Sequence, residues 1–137
     1  MAVKRICHSP EETRAAGFDL AQSAVPGTVL ALHGDLGAGK TELVKGLAAG
    51  LGNGAAVSSP TFTLVHEYQG GRLPLFHFDW YRLERVEELE EIGFYDYLDR
   101  GGVLAIEWAA RFPSELPPET QHVYLSFLAD DAREVRW

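Results

Sequence analysis

The sequence predicts an α/β fold, a mostly central sheet with flanking helices in a single domain, and three observations carry that prediction. Short apolar runs that suit strands buried on both faces, Val29–Leu32 and Val103–Ile106, alternate with segments of helical periodicity. The first of these runs leads straight into a glycine-rich turn and then an amphipathic helix. The length, 137 residues with 46% hydrophobic and 23% charged, suits one globular unit and excludes a fibrous repeat or a disordered tail.

Each element has a local cause. Ser9, Pro10 and Glu12 supply a capping hydroxyl, a proline at the first helical position and a glutamate at the third, so a helix is expected from Pro10 to about Ser23. Lys40 to Leu51 reads as a second helix: Leu43, Leu47 and Leu51 recur at helical spacing with Val44 and Ala48, and Gly50, Gly52 and Gly54 end the pattern. Phe62–Tyr68 and Leu73–Asp79 flank Gly70-Gly71 and predict two strands joined by a tight turn. Val86, Leu89 and Ile92 mark the apolar edge of a short acidic helix stopped by Gly93, whose glutamates suit a solvated face or a partner. His122–Phe127 and Glu134–Trp137 predict a final hairpin; with the chain stopping at Trp137, a short sheet edge is expected there.

Twelve Lys and Arg against twenty Asp and Glu leave a net charge of -8, which argues against autonomous RNA or DNA binding because a phosphate-gripping chain needs a basic face. Cys7 is the sole cysteine, so neither an internal disulfide nor a thiolate metal cage is expected. No apolar h-region or membrane-length apolar run occurs, and a cytoplasmic location is expected.

The most informative stretch is Gly34-Asp35-Leu36-Gly37-Ala38-Gly39-Lys40-Thr41, which matches G-x-x-x-x-G-K-[ST] between a buried-type strand and an amphipathic helix. Gly34, Gly37 and Gly39 let backbone N–H groups surround a phosphate, and Asp35 and Ala38 belong to the same cradle. Lys40 carries charge to the β- and γ-phosphates, and the Thr41 hydroxyl suits a magnesium ion. ATP and Mg2+ are therefore the expected ligands of a P-loop NTPase-like sheet. Hydrolysis needs a carboxylate as well. Asp79 and Glu107 each close an apolar run and are expected at the carboxyl edge of the sheet; the alternative for either is an acid in ordinary solvent contact. Ser58, Ser59, Thr61 and Thr63 around Pro60 suit either a γ-phosphate-sensing loop or a capped strand start. His77 beside Asp79 hints at a pair, although a packed histidine is the favoured reading.

These motifs, with Ser59-Pro60-Thr61-Phe62-Thr63-Leu64-Val65, His77-Phe78-Asp79-Trp80-Tyr81-Arg82-Leu83, Glu88-Leu89, Ile92-Gly93-Phe94, Asp96-Tyr97 and Ile106-Glu107-Trp108, resemble the TsaE (YjeE) family across most of the chain. The resemblance implies a small P-loop ATPase of tRNA threonylcarbamoyladenosine (t6A) modification that acts with TsaB and TsaD. It implies that Lys40 binds phosphates, that Thr41 and Glu107 serve magnesium, that Asp79 is the base or water-orienting group, and that Thr61 belongs to a mobile switch loop. Trp108 would shape the same site, and Arg133 would touch the nucleotide. Two departures stand out: Ala132 replaces a family glycine before Arg133, and Ala109-Ala110-Arg111 follow Trp108 where the family usually continues with a proline or acidic residue and then Glu-Arg.

Three other readings remain at this point. A kinase would use Arg82 and Arg111 to clamp an acceptor, but the short chain offers no evident insertion for a lid. A GTP switch is disfavoured because no Asn-Lys-x-Asp motif exists and Asn53 is the sole asparagine. The third is a nucleotide-gated binding module without significant turnover.

Overall fold

The computed structural model describes residues 2–35, 37–53, 57 and 63–137. Among the described residues, seven strands form one mixed sheet: β1 (Lys4–Cys7), β2 (Val29–His33), β3 (Val65–Tyr68), β4 (Leu75–Asp79), β5 (Val103–Glu107), β6 (Gln121–Phe127) and β7 (Arg133–Arg136). Their order is β1-β7-β6-β2-β5-β4-β3. The inner pairs β4·β5, β5·β2 and β2·β6 are parallel, and β1·β7, β7·β6 and β4·β3 are antiparallel. The predicted α/β class holds, and the parallel strands are the apolar runs: every residue of β4 and β5 is buried.

Helices α1 (Pro10–Gln22) and α2 (Lys40–Leu51) lie together on one face. Leu30, Leu32, Leu75, Val103, Ala105, Val123 and Leu125 point toward that layer, and Leu20, Leu43, Leu47 and Leu51 complete its core. Alternation sends Phe76, Phe78, Leu104 and Ile106 to the other face, against Trp80, Leu89, Phe94 and Tyr97 around α3 (Glu87–Glu91) and α4 (Phe94–Tyr97). The two long helices touch backbone to backbone. A Cβ at Gly46 would be built into the Arg14 carbonyl, and one at Gly17 into the Leu43 carbonyl, so the seam exists only because both are glycine.

The Ser9 hydroxyl accepts from the Glu12 N–H at 3.2 Å as the capping pattern requires, while the Glu12 carboxylate accepts from the His8 N–H at 3.1 Å. Helix α2 spans the predicted residues, Lys40 to Leu51. Two expectations need correcting. β1 was not anticipated; it pairs with β7, and Val3 and Trp137 exchange backbone bonds of 2.6 and 2.9 Å, so the hairpin at the C-terminal end is interior to the sheet and not a short edge. The strands predicted from Phe62 and Leu73 begin at Val65 and Leu75, with Phe62 outside the described residues. The short acidic helix does stop at Gly93, as expected; an added turn, α4, follows because Gly93 adopts φ 79° and restarts the chain. Among the described residues no helix is long and apolar enough to cross a membrane.

Candidate functional site

The parallel strands β2, β4 and β5 end together, and the register places Asp79 beside Glu107 and Glu107 beside Leu32, two residues before the glycine-rich loop. Asp79 and Glu107 share the sheet face that carries α2. Both acids are nearly buried, at 3% and 5% exposure, which removes the ordinary-solvent reading for either. The Tyr81 N–H donates to Asp79 Oδ1 at 2.9 Å, and the Asp79 N–H donates to the Leu64 carbonyl at 3.0 Å.

The loop itself runs from Gly34 to the start of α2, with Leu36 outside the described residues. Gly37 and Gly39 have φ of 81° and 104°, the left-handed region that suits glycine. Gly34 is required for a different reason from the one expected. Its φ is ordinary, but a Cβ there would lie 2.6 Å from the Leu125 carbonyl, so it is the close pass of β6 that excludes a side chain. Ala38 is buried beside Gly34. Asp35 is exposed, and its carbonyl accepts from the Ala38 N–H at 3.0 Å. Gly39 caps α2 without any side-chain bond, leaving the first-turn amides of the helix to an outside acceptor.

Lys40 opens α2, 6% exposed, with its ammonium donating to the Gly34 carbonyl at 2.6 Å and lying 4.0 Å from the centre of the Trp108 ring. Burial pushes the Lys40 ammonium below the usual lysine range, and the carboxylates of Glu107, Asp79 and Asp35 pull it back toward the charged form. The result is a buried cation held beside acids. Thr41 follows on the same turn. Trp108 reaches Lys40 from a left-handed backbone, φ 59°, and Leu64, whose carbonyl holds Asp79, has φ 70°. Non-glycine residues in this region carry strain, and here both flank the strand-end acids.

Arg133, at the start of β7, donates Nε–H to the Gly37 carbonyl at 3.0 Å and stacks its guanidinium 4.6 Å from the Phe127 ring centre. With His8, Ser9, Pro10, Thr13, Gly39 and Glu42 it borders a cleft of about 410 Å3 beside the loop. Sequence reasoning missed the share of α1 in this cleft, since nothing local ties Ser9 and Thr13 to Gly39. Thr61 and its neighbours Ser58, Ser59 and Pro60 lie outside the described residues. His77 is fully buried, as a packed histidine would be, but its partner is not Asp79: Nε2 sits 2.6 Å from Glu107 Oε2. Only the β4·β5 register could have revealed that pairing.

Among the described residues no three His, Cys, Asp or Glu side chains converge to cage a metal. The carboxylates of Asp79 and Glu107, nearly buried side by side at the strand ends, are hard oxygen donors of the kind Mg2+ takes, one or two at a time beside phosphate oxygens and waters.

The family described as "Threonylcarbamoyl adenosine biosynthesis protein TsaE" matches residues 7–135. The tRNA threonylcarbamoyladenosine biosynthesis protein TsaE of Bacillus subtilis is 46% identical over 127 residues, covering 93% of this chain and 79% of the relative. Its namesake in Treponema pallidum is 43% identical over 130 residues, covering 95% and 96%. A crystal structure of Bacillus subtilis YdiB superposes with a TM-score of 0.82 at 39% identity, covering 99% of this chain and 84% of that one.

Proposed function

The chain belongs to the TsaE family, and from that premise we infer that it is the nucleotide-hydrolysing component of tRNA threonylcarbamoyladenosine synthesis, an Mg2+-dependent ATPase that works with TsaB and TsaD. The observation that carries the reading is the meeting of three strand ends, which brings Lys40 into the field of Asp79 and Glu107 at the mouth of the glycine-rich loop.

The amides of Gly37, Gly39 and the first turn of α2 receive the phosphates, Lys40 neutralises the β- and γ-oxygens, and Arg133 closes the loop from β7. Thr41 and Glu107 hold the metal, with Asp35 and Ala38 completing the cradle. When bound, Mg2+ supplies charge neutralisation on the β- and γ-phosphates. Asp79, steadied by the Tyr81 N–H, orients the attacking water and takes its proton. Thr61 belongs to the loop that senses the γ-phosphate. The cleft between α1 and Arg133 receives the nucleoside. Hydrolysis is slow in isolation and faster with partners that add charge or order the loop. TsaB and TsaD then hold the tRNA, in keeping with a chain of net charge -8, and the work takes place in the cytoplasm.

The test is a reconstituted t6A reaction with TsaB, TsaD, tRNA and MgATP. Sustained product formation requires this chain and fails with Lys40→Ala or Glu107→Ala; equal product in its absence, or full activity of Lys40→Ala, refutes the reading. A second reading is favoured by one observation: Tyr81, Arg82, Glu84 and Arg111 line a shared shallow cavity of about 450 Å3, where a kinase would hold its acceptor. Label from γ-phosphate recovered only as inorganic phosphate excludes that alternative.

A further inference from the structure

His77 is the most deeply buried polar side chain of the site, at 0% exposure, on the sheet position where alternation from Leu75 calls for an apolar residue. Burying an imidazole there is costly unless its hydrogen bonds are made. Among the described residues it makes one: Nε2 meets Glu107 Oε2 at 2.6 Å, while Nδ1 is buried with no partner among them. A carboxylate only accepts, so the ring proton on that edge belongs to Nε2. The β4·β5 register sets this up, because it pairs Asp79 with Glu107 and leaves His77 one step back on the same face, beneath the Glu107 carboxylate.

We propose that His77 is a positioning residue that holds the Glu107 carboxylate in the orientation in which it serves the metal of the nucleotide complex. The inference rests on the role of Glu107 given above and adds to it the group that fixes its plane. A glutamate carboxylate on a strand end can rotate about three side-chain bonds; a 2.6 Å bond from a buried ring restricts that freedom before the ligand arrives.

The experiment compares wild type, His77→Leu, His77→Gln and Glu107→Gln by two measurements: the affinity for ADP in EDTA, by calorimetry, and the affinity of the ADP complex for Mn2+, by electron paramagnetic resonance. His77→Leu is expected to bind ADP in EDTA as wild type does and to bind Mn2+ about 10- to 100-fold more weakly. His77→Gln, whose amide N–H stands where Nε2 stands, recovers most of that loss, and adding His77→Leu to Glu107→Gln brings no further loss. If His77→Leu does not fold, His77→Asn carries the test, since its amide replaces Nδ1 and falls short of Glu107. Mn2+ affinity unchanged in the Leu or Asn variant, no recovery with Gln, or an equal fall in metal-free ADP affinity each overturns the positioning role. Wild-type Mn2+ affinity in Glu107→Gln, or a wild type that binds no ADP, instead overturns the metal role of Glu107 and this inference with it.

Discussion

Replacing Gly34 by alanine separates a glycine demanded by packing from one demanded by conformation. The added Cβ would lie 2.6 Å from the Leu125 carbonyl, 3.1 Å from the Ala38 Cβ and 3.3 Å from the Leu125 Cβ. Leu125 is paired in the β6·β7 ladder opposite Val135, so its backbone is not free to retreat. The loop must give way instead. Overpacking of this kind costs about 1–3 kcal/mol, and the stiffer unfolded chain returns about 0.4–1 kcal/mol, leaving a net loss of about 1–2 kcal/mol. The displaced strand end carries the carbonyl that receives the Lys40 ammonium at 2.6 Å, so ATP affinity should fall about tenfold, given that misplacements of about 1 Å cost up to 100-fold. Gly37→Ala is the contrasting case: its φ is 81° but no atom lies within 4 Å of the added Cβ, and it should lose about 1–2 kcal/mol to backbone strain alone. Urea midpoints give the stabilities and calorimetry with MgATP gives the affinities. A Gly34→Ala protein as stable as wild type and binding ATP equally well refutes the packing argument.

Three further outcomes are expected. Burial, with His122 and Lys40 nearby, holds the His33 imidazole below its usual range, so the unfolded chain binds the extra proton first; stability contributed by neutral His33 is present above about pH 6.5 and is lost as pH falls toward the depressed value. His33→Gln should flatten that acid limb in denaturant titrations taken across pH, and an unchanged slope contradicts it. Gly46→Ala, which drives a methyl into the Arg14 carbonyl, should cost about 3 kcal/mol or more in urea unfolding by prising α1 from α2, and a wild-type midpoint would show that the seam yields. Asp79→Asn should retain ATP affinity and lose at least about 100-fold in turnover, within the range expected for a lost general base; turnover near wild type removes Asp79 from that role.

The stretches whose structure is dictated locally were legible in the linear chain. Ser9-Pro10 starts α1, the leucine spacing makes α2, and the apolar runs Val29–Leu32 and Val103–Ile106 become parallel strands, because capping, helical period and β-branched apolar runs act over a few residues. The glycine-rich loop was legible for the same reason: its glycines, lysine and threonine fall within eight successive positions. Strand partnerships were not. β1 has no strong alternation of its own, and it is a strand because β7 lies beside it.

The amino-acid order alone thus determined the loop, the helix that carries Lys40 and the acids that end two strands, since each rests on neighbours in the chain. Tertiary structure decided which of those ends meet. Register between parallel strands set Asp79 against Glu107 and slid His77 beneath it, the backbone of β6 made Gly34 obligatory, and β7 delivered Arg133 to Gly37. These contacts join residues from 28 to 96 positions apart, and their free energy exists only once the apolar faces of the sheet have collapsed onto the helices.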